Sequence, residues 1–379
     1  MSVQTECKRV NIIHLTSVHA RYDTRVFVKE CCSLATVPEY NVILIVADGK
    51  GDEVRDRVTI IDVGKPSGRL QRMVVTARKV AQKALEFEGH LCHLHDPELL
   101  PYVSRFKKAG ARVVYDAHED LPRQVMAKSY LPQWSRLMVS QLSEFFENRI
   151  LDRCDALVVP TEKIAGRFAA AGMKSIMVRN FPKLEEFSRE TAWKERQNSI
   201  CYIGTIGRSR GIEELVRSAE LSNTVLELSG TFKPIGLLPQ ISARTGWKKV
   251  VYHGMVDRAA IQGILARCKV GLVTLHPTSS YVDALPVKMF EYMAAGIPVI
   301  ASDFPLWQKI VVENQCGLCV DPLNPRAIAD AIRWLLDHPS EAERMGKEGR
   351  KAVLSRYNWA HEERELLQLY HELLKGGAA

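Results

Sequence analysis

Short apolar runs alternate with helix-patterned stretches along the whole chain. In the first half Val10–Leu15, Asn41–Val46, Val58–Val63, Leu91–Leu94, Arg112–Tyr115 and Ala156–Val159 read as strands, and Phe27–Ala35 reads as a helix. Brief β-rich runs separated by helices predict a mostly parallel sheet covered on both faces. The pattern then restarts. Ser199–Ile203 ends in Gly204, Gly211–Ala219 begins a helix, and Val225–Leu228, Val250–Tyr252, Val270–Leu275 and Pro298–Ala301 follow as strands. Two successive α/β sets, with polar loops at the strand C-termini, predict two doubly wound, Rossmann-like domains facing a central cleft. A turn at Asn180-Phe-Pro182-Lys divides them into 1–182 and 183–356. A last helix, about Trp359–Leu374, puts Leu366, Leu367, Tyr370 and Leu374 on one face.

The bulk properties narrow the class. At 379 residues the chain suffices for two ordinary domains. Its 46% hydrophobic and 25% charged content is that of a soluble globular protein. No apolar run reaches the ~18 residues of a spanning helix. The N-terminus lacks the apolar core and cleavage site of a signal peptide, so a cytoplasmic location is expected. Nine cysteines, an odd number, read as free thiols in a reducing compartment. Cys316-Gly-Leu-Cys319 has no partner pair and is expected to pack rather than to hold zinc. Of the net charge of +8, +7 falls within residues 1–183. That imbalance implies an anionic partner, phosphates or a membrane surface. Aromatic residues do not interleave with the basic ones, so nucleic acid is not expected.

The candidate chemistry begins after a strand of the second half. Tyr202-Ile-Gly204-Thr-Ile-Gly207-Arg208-Ser-Arg210-Gly211 leads from strand to helix. Glycines let backbone approach an anion, and a helix N-terminus offers free N–H groups. Arg208 and Arg210 can each clamp phosphate oxygens. The spacing is not GxGxxG, so a dinucleotide site is not indicated. The alternative is a Gly-rich turn with solvated arginines. Further on, Asp283 and Glu291 stand eight positions apart, with a loop between them and a helix starting near the second. Glu291 can accept two hydrogen bonds from a ribose diol, and the Ala284-Leu285 backbone can run along a sugar-phosphate. Pro286 has no N–H to give. Lys288 is either a phosphate contact or the i, i+3 partner of Glu291. The plainer reading is a capping Asp and a solvated Glu.

The first half offers a polar cluster at strand ends: Cys92-His93-Leu-His95-Asp96 and Tyr115-Asp116-Ala-His118-Glu119-Asp120. Such residues permit metal binding, but their spacing is no zinc pattern, and none is expected. Asp23-Thr-Arg25, after the first strand, is either a phosphate or acceptor contact or a structural ion pair. Lys65–Lys83 holds six basic residues and no acid. Leu70, Met73, Val74, Ala77, Ala81 and Ala84 fall on one face of a helix there. It is either a core-facing helix with a basic outer face or a contact with an anionic membrane.

Together these motifs resemble the retaining GT-B glycosyltransferases of family 4. The resemblance covers nearly the whole chain. It rests on the acidic-x7-Glu spacing of Asp283 and Glu291, on Tyr292-Met-Ala-Ala-Gly296-Ile-Pro298, and on His276-Pro277, Gly317, Asp321-Pro322 and Arg356-Tyr-Asn-Trp359. Asp283 replaces the usual Glu, Leu-Pro the usual glycines, Thr205 the usual Arg and Arg210 the usual Lys. The resemblance implies a C-terminal helix, 357–375, that returns to the first domain. It implies transfer of a sugar from a nucleoside-diphosphate sugar, UDP-sugar favoured, to a hydroxyl acceptor with retention. The acceptor would be a glycan or a lipid-linked glycan of bacterial surface-polysaccharide assembly. By the same resemblance His118 and Asp283 position the sugar, Arg208 and Arg210 stabilise the diphosphate, and Gly204, Gly207, Ala284, Leu285 and Lys288 cradle the donor. Glu291 holds its ribose. No Asp-x-Asp occurs, so basic side chains rather than a metal are expected to neutralise the diphosphate, and no cofactor is expected. Two alternatives share the fold: an epimerase of free sugar nucleotides and a non-catalytic sugar-nucleotide sensor.

Overall fold

The computed structural model describes residues 9–118, 120, 132–188 and 190–375, with the backbone alone for Gln133 and Trp134. Glu119, one of the residues singled out above, lies outside them. The chain forms two compact units, Met1–Asn180 with Ala360–Ala379, and Phe181–Trp359.

The first unit holds β1 (Val10–Leu15), β2 (Tyr40–Val46), β3 (Glu53–Arg55), β4 (Val58–Asp62), β5 (Leu91–Leu94), β6 (Arg112–Asp116), β7 (Ala156–Val159) and β8 (Ser175–Met177). Among the described residues these make one sheet, ordered β3-β4-β2-β1-β5-β6-β7-β8. All pairings are parallel except the β3–β4 hairpin. Strand alternation sorts the side chains. Ile13, Leu15, Ile43, Cys92, Leu94 and Val113 pack with Val80, Leu99, Phe106 and Phe168 in one core. The opposite face carries His14, paired in register with His93, and Asp116. The helix Trp359–Lys375 belongs to this unit from Ala360 onward and buries Leu366, Leu369 and Tyr370. Leu369 rather than Leu367 completes its buried face.

The second unit holds β9 (Ser199–Ile203), β10 (Val225–Ser229), β11 (Val250–Gly254), β12 (Val270–Val273), β13 (Val299–Ser302) and β14 (Gly317–Val320). Their order, β11-β10-β9-β12-β13-β14, is wholly parallel. In both sheets the winding reverses beside the first strand of the set, between β1 and β5 and between β9 and β12. Open α/β sheets hold ligands at that reversal.

Two expectations are corrected. Phe27–Ala35 is helical, but Val26–Cys31 is a π-helical turn. In the basic segment the helix also widens to a π turn, over Arg72–Thr76, before continuing as Ala77–Leu85. A π turn takes up more residues than an α turn, so the apolar stripe slips in phase. Ala77, Val80, Ala81 and Ala84 are buried, whereas Leu70 is 81%, Met73 44% and Val74 66% exposed. The single core-facing stripe is therefore two surfaces. One packs on the sheet, and the other presents apolar side chains among Arg69, Arg72 and Arg78 to solvent.

Candidate active site

In the second unit β9 ends at Gly204, where φ is +118°, a region that favours glycine. Gly230, at the end of β10, has φ +138°, and a Cβ there would lie 1.8 Å from the Gly204 carbonyl oxygen. The two strand ends pass this closely because neither residue has a side chain. A Cβ on Gly204 would lie 3.4 Å from Lys288 Nζ, an ordinary contact, so the positive φ rather than space calls for glycine here. Gly207 opens a 3₁₀ turn, Arg208–Arg210, which feeds the helix Ile212–Leu221.

Lys288 is the second residue of the helix Val287–Ala294, whose N-cap, Pro286, makes no side-chain cap bond. Its Nζ is buried, donates to no acceptor among the described residues and sits 3.5 Å from the Tyr202 ring centroid. The Tyr202 hydroxyl donates to the Thr205 carbonyl at 2.9 Å, which fixes the ring. Burial, and then the nearby charge of Arg210, hold the Lys288 pKa well below the usual lysine range. Arg210 stacks over Tyr281 at 5.3 Å and has no ion-pair partner among the described residues. Two basic side chains thus stand close at a strand reversal and beside a helix N-terminus. Protonating Lys288 beside Arg210 costs free energy that a bound anion offsets.

The remaining candidates of this unit are placed as follows. Glu291, one helical turn beyond Lys288, is buried and meets Arg258 Nη2 at 2.8 Å. Arg258 also holds Glu186, its Nε donating to Oε2 at 2.9 Å. Lys288 lies against Tyr202 and does not form the i, i+3 pair with Glu291. Arg208 is more than half exposed and turns to Glu213 and to Gln240 Oε1, the latter at 2.5 Å. Asp283 is half-buried in the turn after β12. Ala284 N–H donates to the Tyr281 carbonyl at 3.1 Å, and its own carbonyl accepts from Trp307 Nε1 at 2.7 Å. Leu285 packs on the core. His276 N–H donates to the Ser209 carbonyl at 3.0 Å and its ring meets Glu214 at 3.0 Å, tying the β12 loop to the phosphate-loop candidate.

The first unit gathers a second constellation at its own strand reversal. Asp96 accepts from Thr16 Oγ1 at 2.8 Å and from the Ser17 N–H at 2.6 Å, pinning the loop after β1 to the end of β5. Arg25 grips Asp116 with two bonds, Nε to Oδ2 at 2.8 Å and Nη2 to Oδ1 at 2.9 Å, and all of it is buried. Asp23 instead accepts from the Arg25 and Val26 N–H groups. His118 Nε2 lies 3.2 Å from Asp116 Oδ2 and 3.2 Å from His95 Nδ1. Burial pushes the His118 pKa down to about 3 against the pull of Asp116, so the ring is neutral. It serves as a hydrogen-bonding group and not as a charge. His14 and His93 share this buried face, although each sits inside an otherwise apolar strand. His93 belongs to the polar cluster noted in the sequence, whereas the polarity of His14 amid Val, Ile and Leu was the signal that sequence reasoning passed over.

Comparison with known proteins places this geometry. The family model "Glycosyl transferases group 1" matches residues 184–352, and the "Glycosyl transferase 4-like domain" matches 20–182. An uncharacterized glycosyltransferase of Methanocaldococcus jannaschii is 21% identical over 287 residues, covering 74% of this chain and 70% of that protein. The D-rhamnosyltransferase WbpZ of Pseudomonas aeruginosa is 24% identical over 275 residues, covering 70% and 69%. In structure the chain is similar to sucrose-phosphate synthase from Thermosynechococcus elongatus, with TM-score 0.74, 19% identity and coverage of 97% and 100%. It is also similar to Anabaena HepE in complex with UDP-glucose, with TM-score 0.70, 15% identity and coverage of 96% and 100%. Two Rossmann-like sheets, these neighbours and two glycosyl-transferase models running from residue 20 to residue 352 agree: the chain is a transferase enzyme of the GT-B fold and belongs to the group 1 glycosyl transferases.

Proposed function

We propose that the enzyme moves a sugar from a nucleoside-diphosphate sugar, a UDP-sugar first, to a hydroxyl acceptor with retention of anomeric configuration, as the family 4 enzymes do. The observation that carries this reading is the pair of basic side chains, Lys288 and Arg210, at the β9–β12 reversal, neither in an ion pair among the described residues. A diphosphate pairs with both and favours the protonated form of Lys288. Glu291 accepts from the ribose diol while Arg258 fixes its carboxylate, and Asp283 positions the sugar. The backbone at Gly204, Gly207 and Leu285 lines the donor. Arg208, held by Glu213 and Gln240, orders the loop and its charge supports the diphosphate from farther out. Basic side chains, not a metal, neutralise the leaving group. The departing phosphate takes the acceptor proton as the acceptor oxygen bonds to the anomeric carbon and the carbon–phosphate-oxygen bond breaks on the same face. The complex of HepE with UDP-glucose supports the choice of base.

The first unit handles the acceptor in this proposal, with neutral His118 hydrogen-bonding to a sugar hydroxyl. The name of the Pseudomonas relative, a D-rhamnosyltransferase, supports sugar transfer, and the family resemblance supports a glycan acceptor, or a lipid-linked one, of bacterial polysaccharide assembly. Among the described residues no helix is long and apolar enough to cross a membrane. Leu70, Met73 and Val74, exposed amid arginines, fit peripheral contact with an anionic leaflet from the cytoplasmic side.

The test is a panel of UDP-, GDP- and dTDP-sugars in EDTA, read by thermal shift and by slow release of nucleoside diphosphate. Stabilisation and release with one donor, both lost in Glu291→Ala, are expected. Binding to none sinks the proposal. Interconversion of the free donor favours an epimerase, and binding without release or transfer favours a sensor.

A further inference from the structure

We propose that His14, His93, His95 and Glu30 form a buried site for a divalent transition-metal ion of the zinc class. The four residues come from three segments. His14 lies on β1 and His93 beside it on β5, in register. His95 is two positions past His93 and so projects from the same face. Glu30 comes from the π turn Val26–Cys31, a distortion that commonly marks a functional side chain. All four are at most 2% exposed, and one ligand atom from each lies within 4.8 Å of the others.

The hydrogen bonds divide each imidazole into an outer and an inner nitrogen. Tyr370 Oη lies 2.5 Å from His93 Nδ1 and 3.2 Å from His14 Nε2. His95 Nδ1 lies 3.2 Å from His118 Nε2 and 3.5 Å from Asp116 Oδ2. Partners of this kind fix the rings of metal-binding histidines from behind. His14 Nδ1, His93 Nε2 and His95 Nε2 are left for the ion. Among the described residues His93 Nε2 and both Glu30 oxygens are buried without a hydrogen-bond partner, although Glu30 Oε1 lies 3.0 Å from Arg25 Nε. His14 Nδ1 and His95 Nε2 are 2.9 Å apart, and His95 Nε2 and Glu30 Oε2 are 3.9 Å apart. Tetrahedral zinc with bonds near 2.0–2.1 Å needs ligand–ligand edges of about 3.3 Å, between these two values. The other edges are at most 4.8 Å, so side-chain shifts of up to about an ångström close the polyhedron.

The donor set points the same way. Arg25 is shared by Asp116 and Glu30, and Lys29 is committed to Asn180, so neither cation occupies the space between the three imidazoles and Glu30. Three imidazoles with one carboxylate suit zinc better than magnesium or calcium. With four protein ligands and no solvent exposure the site is closed, the mark of a structural ion rather than a reactive one.

The experiment uses the full chain grown in zinc-supplemented medium. Metal is counted by elemental analysis after brief EDTA washing, and again after refolding with Zn²⁺ or Co²⁺. About one ion per chain is expected, released only on unfolding. Refolded with Co²⁺, the protein should show tetrahedral visible bands without the thiolate charge-transfer band that cysteine ligation would give. His93→Gln and Glu30→Gln should each lower the bound metal at least tenfold, in preparations whose far-UV circular dichroism matches the parent. Absence of stoichiometric metal from the parent protein by both routes overturns the proposal and leaves a neutral hydrogen-bonded histidine network. So does unchanged metal content in both variants, or a thiolate band.

Discussion

Arg258 bridges two carboxylates, meeting Glu291 at 2.8 Å and holding Glu186 with the same guanidinium. The residue assigned to the ribose is therefore aimed before any donor arrives. Glu291→Ala should raise the donor Kd roughly 10- to 100-fold, the worth of one or two hydrogen bonds to a charged group. Isothermal titration with the donor found in the panel measures it. An unchanged Kd in a folded Glu291→Ala protein would remove Glu291 from the site. Arg258→Ala should cost stability as well, because it leaves a buried carboxylate alone, and a lower urea midpoint reports that.

Lys288 predicts a pH dependence. Burial first, and Arg210 second, lower its pKa in the free enzyme. A bound diphosphate stabilises the ammonium and raises that pKa again. Between the two values binding must take up a proton, so affinity falls as pH rises through this window, by up to about tenfold per pH unit. Titrations in two buffers of different ionisation enthalpy should give different heats, the sign corresponding to uptake. Lys288→Met should abolish the difference. Heats that do not depend on the buffer would show that Lys288 is not the group engaged.

The close passage of Gly204 and Gly230 predicts a sharp contrast between two glycines. Gly230→Ala forces a Cβ to 1.8 Å from a carbonyl oxygen at φ +138°. It should destabilise the second unit by roughly 3 kcal/mol or more. Gly236→Ala, where a Cβ would meet nothing within 4 Å, should change stability by about 0.5 kcal/mol or less. Chemical denaturation of both variants makes the comparison, and equal midpoints would refute the packing argument.

The slipped stripe on the basic helix predicts a surface phenotype. Replacing Leu70 and Val74 together by Ser removes exposed apolar area and no core contact. Melting temperature should stay within a degree or two, while sedimentation with phosphatidylglycerol-rich vesicles should fall at least fivefold. Phosphatidylcholine vesicles should bind neither protein. Equal sedimentation of parent and variant would take the membrane contact away from this segment.

Much of the fold was legible because the strands are short, apolar and separated by turn residues, and each doubly wound half repeats the signal. What escaped has local causes. The β3–β4 hairpin turns through Asp56 and Arg57, both at positive φ, and carries none of the usual Asn-Gly or Asp-Gly marks. β8 is three half-buried residues at a sheet edge, and β14 is a four-residue edge strand whose Cys316-Gly-Leu-Cys319 stretch was weighed only as a cysteine pair expected to pack. A π turn is invisible to a 3.6-residue period, which is why Leu70 and Val74 were assigned inward. In the site, Lys288, Glu291 and Arg210 could be singled out by type and spacing. Arg258, Tyr202 and Glu30 could not, since their roles arise from contacts between segments far apart in sequence.

Tyr370 closes the histidine cluster of a sheet whose other strands end by Met177. During synthesis some 180 residues separate Asn180 from the returning helix at Ala360. At 5–20 residues per second the ribosome needs roughly 10 to 40 seconds to make them. For that interval His14 and His93 lack their last cover, and the first unit must persist with a wet, unfinished polar face. Any ion destined for those imidazoles has its easiest entry then. A nascent chain halted before Ala360 should accordingly be a better ligand for chaperones, and more readily loaded with metal, than the completed protein.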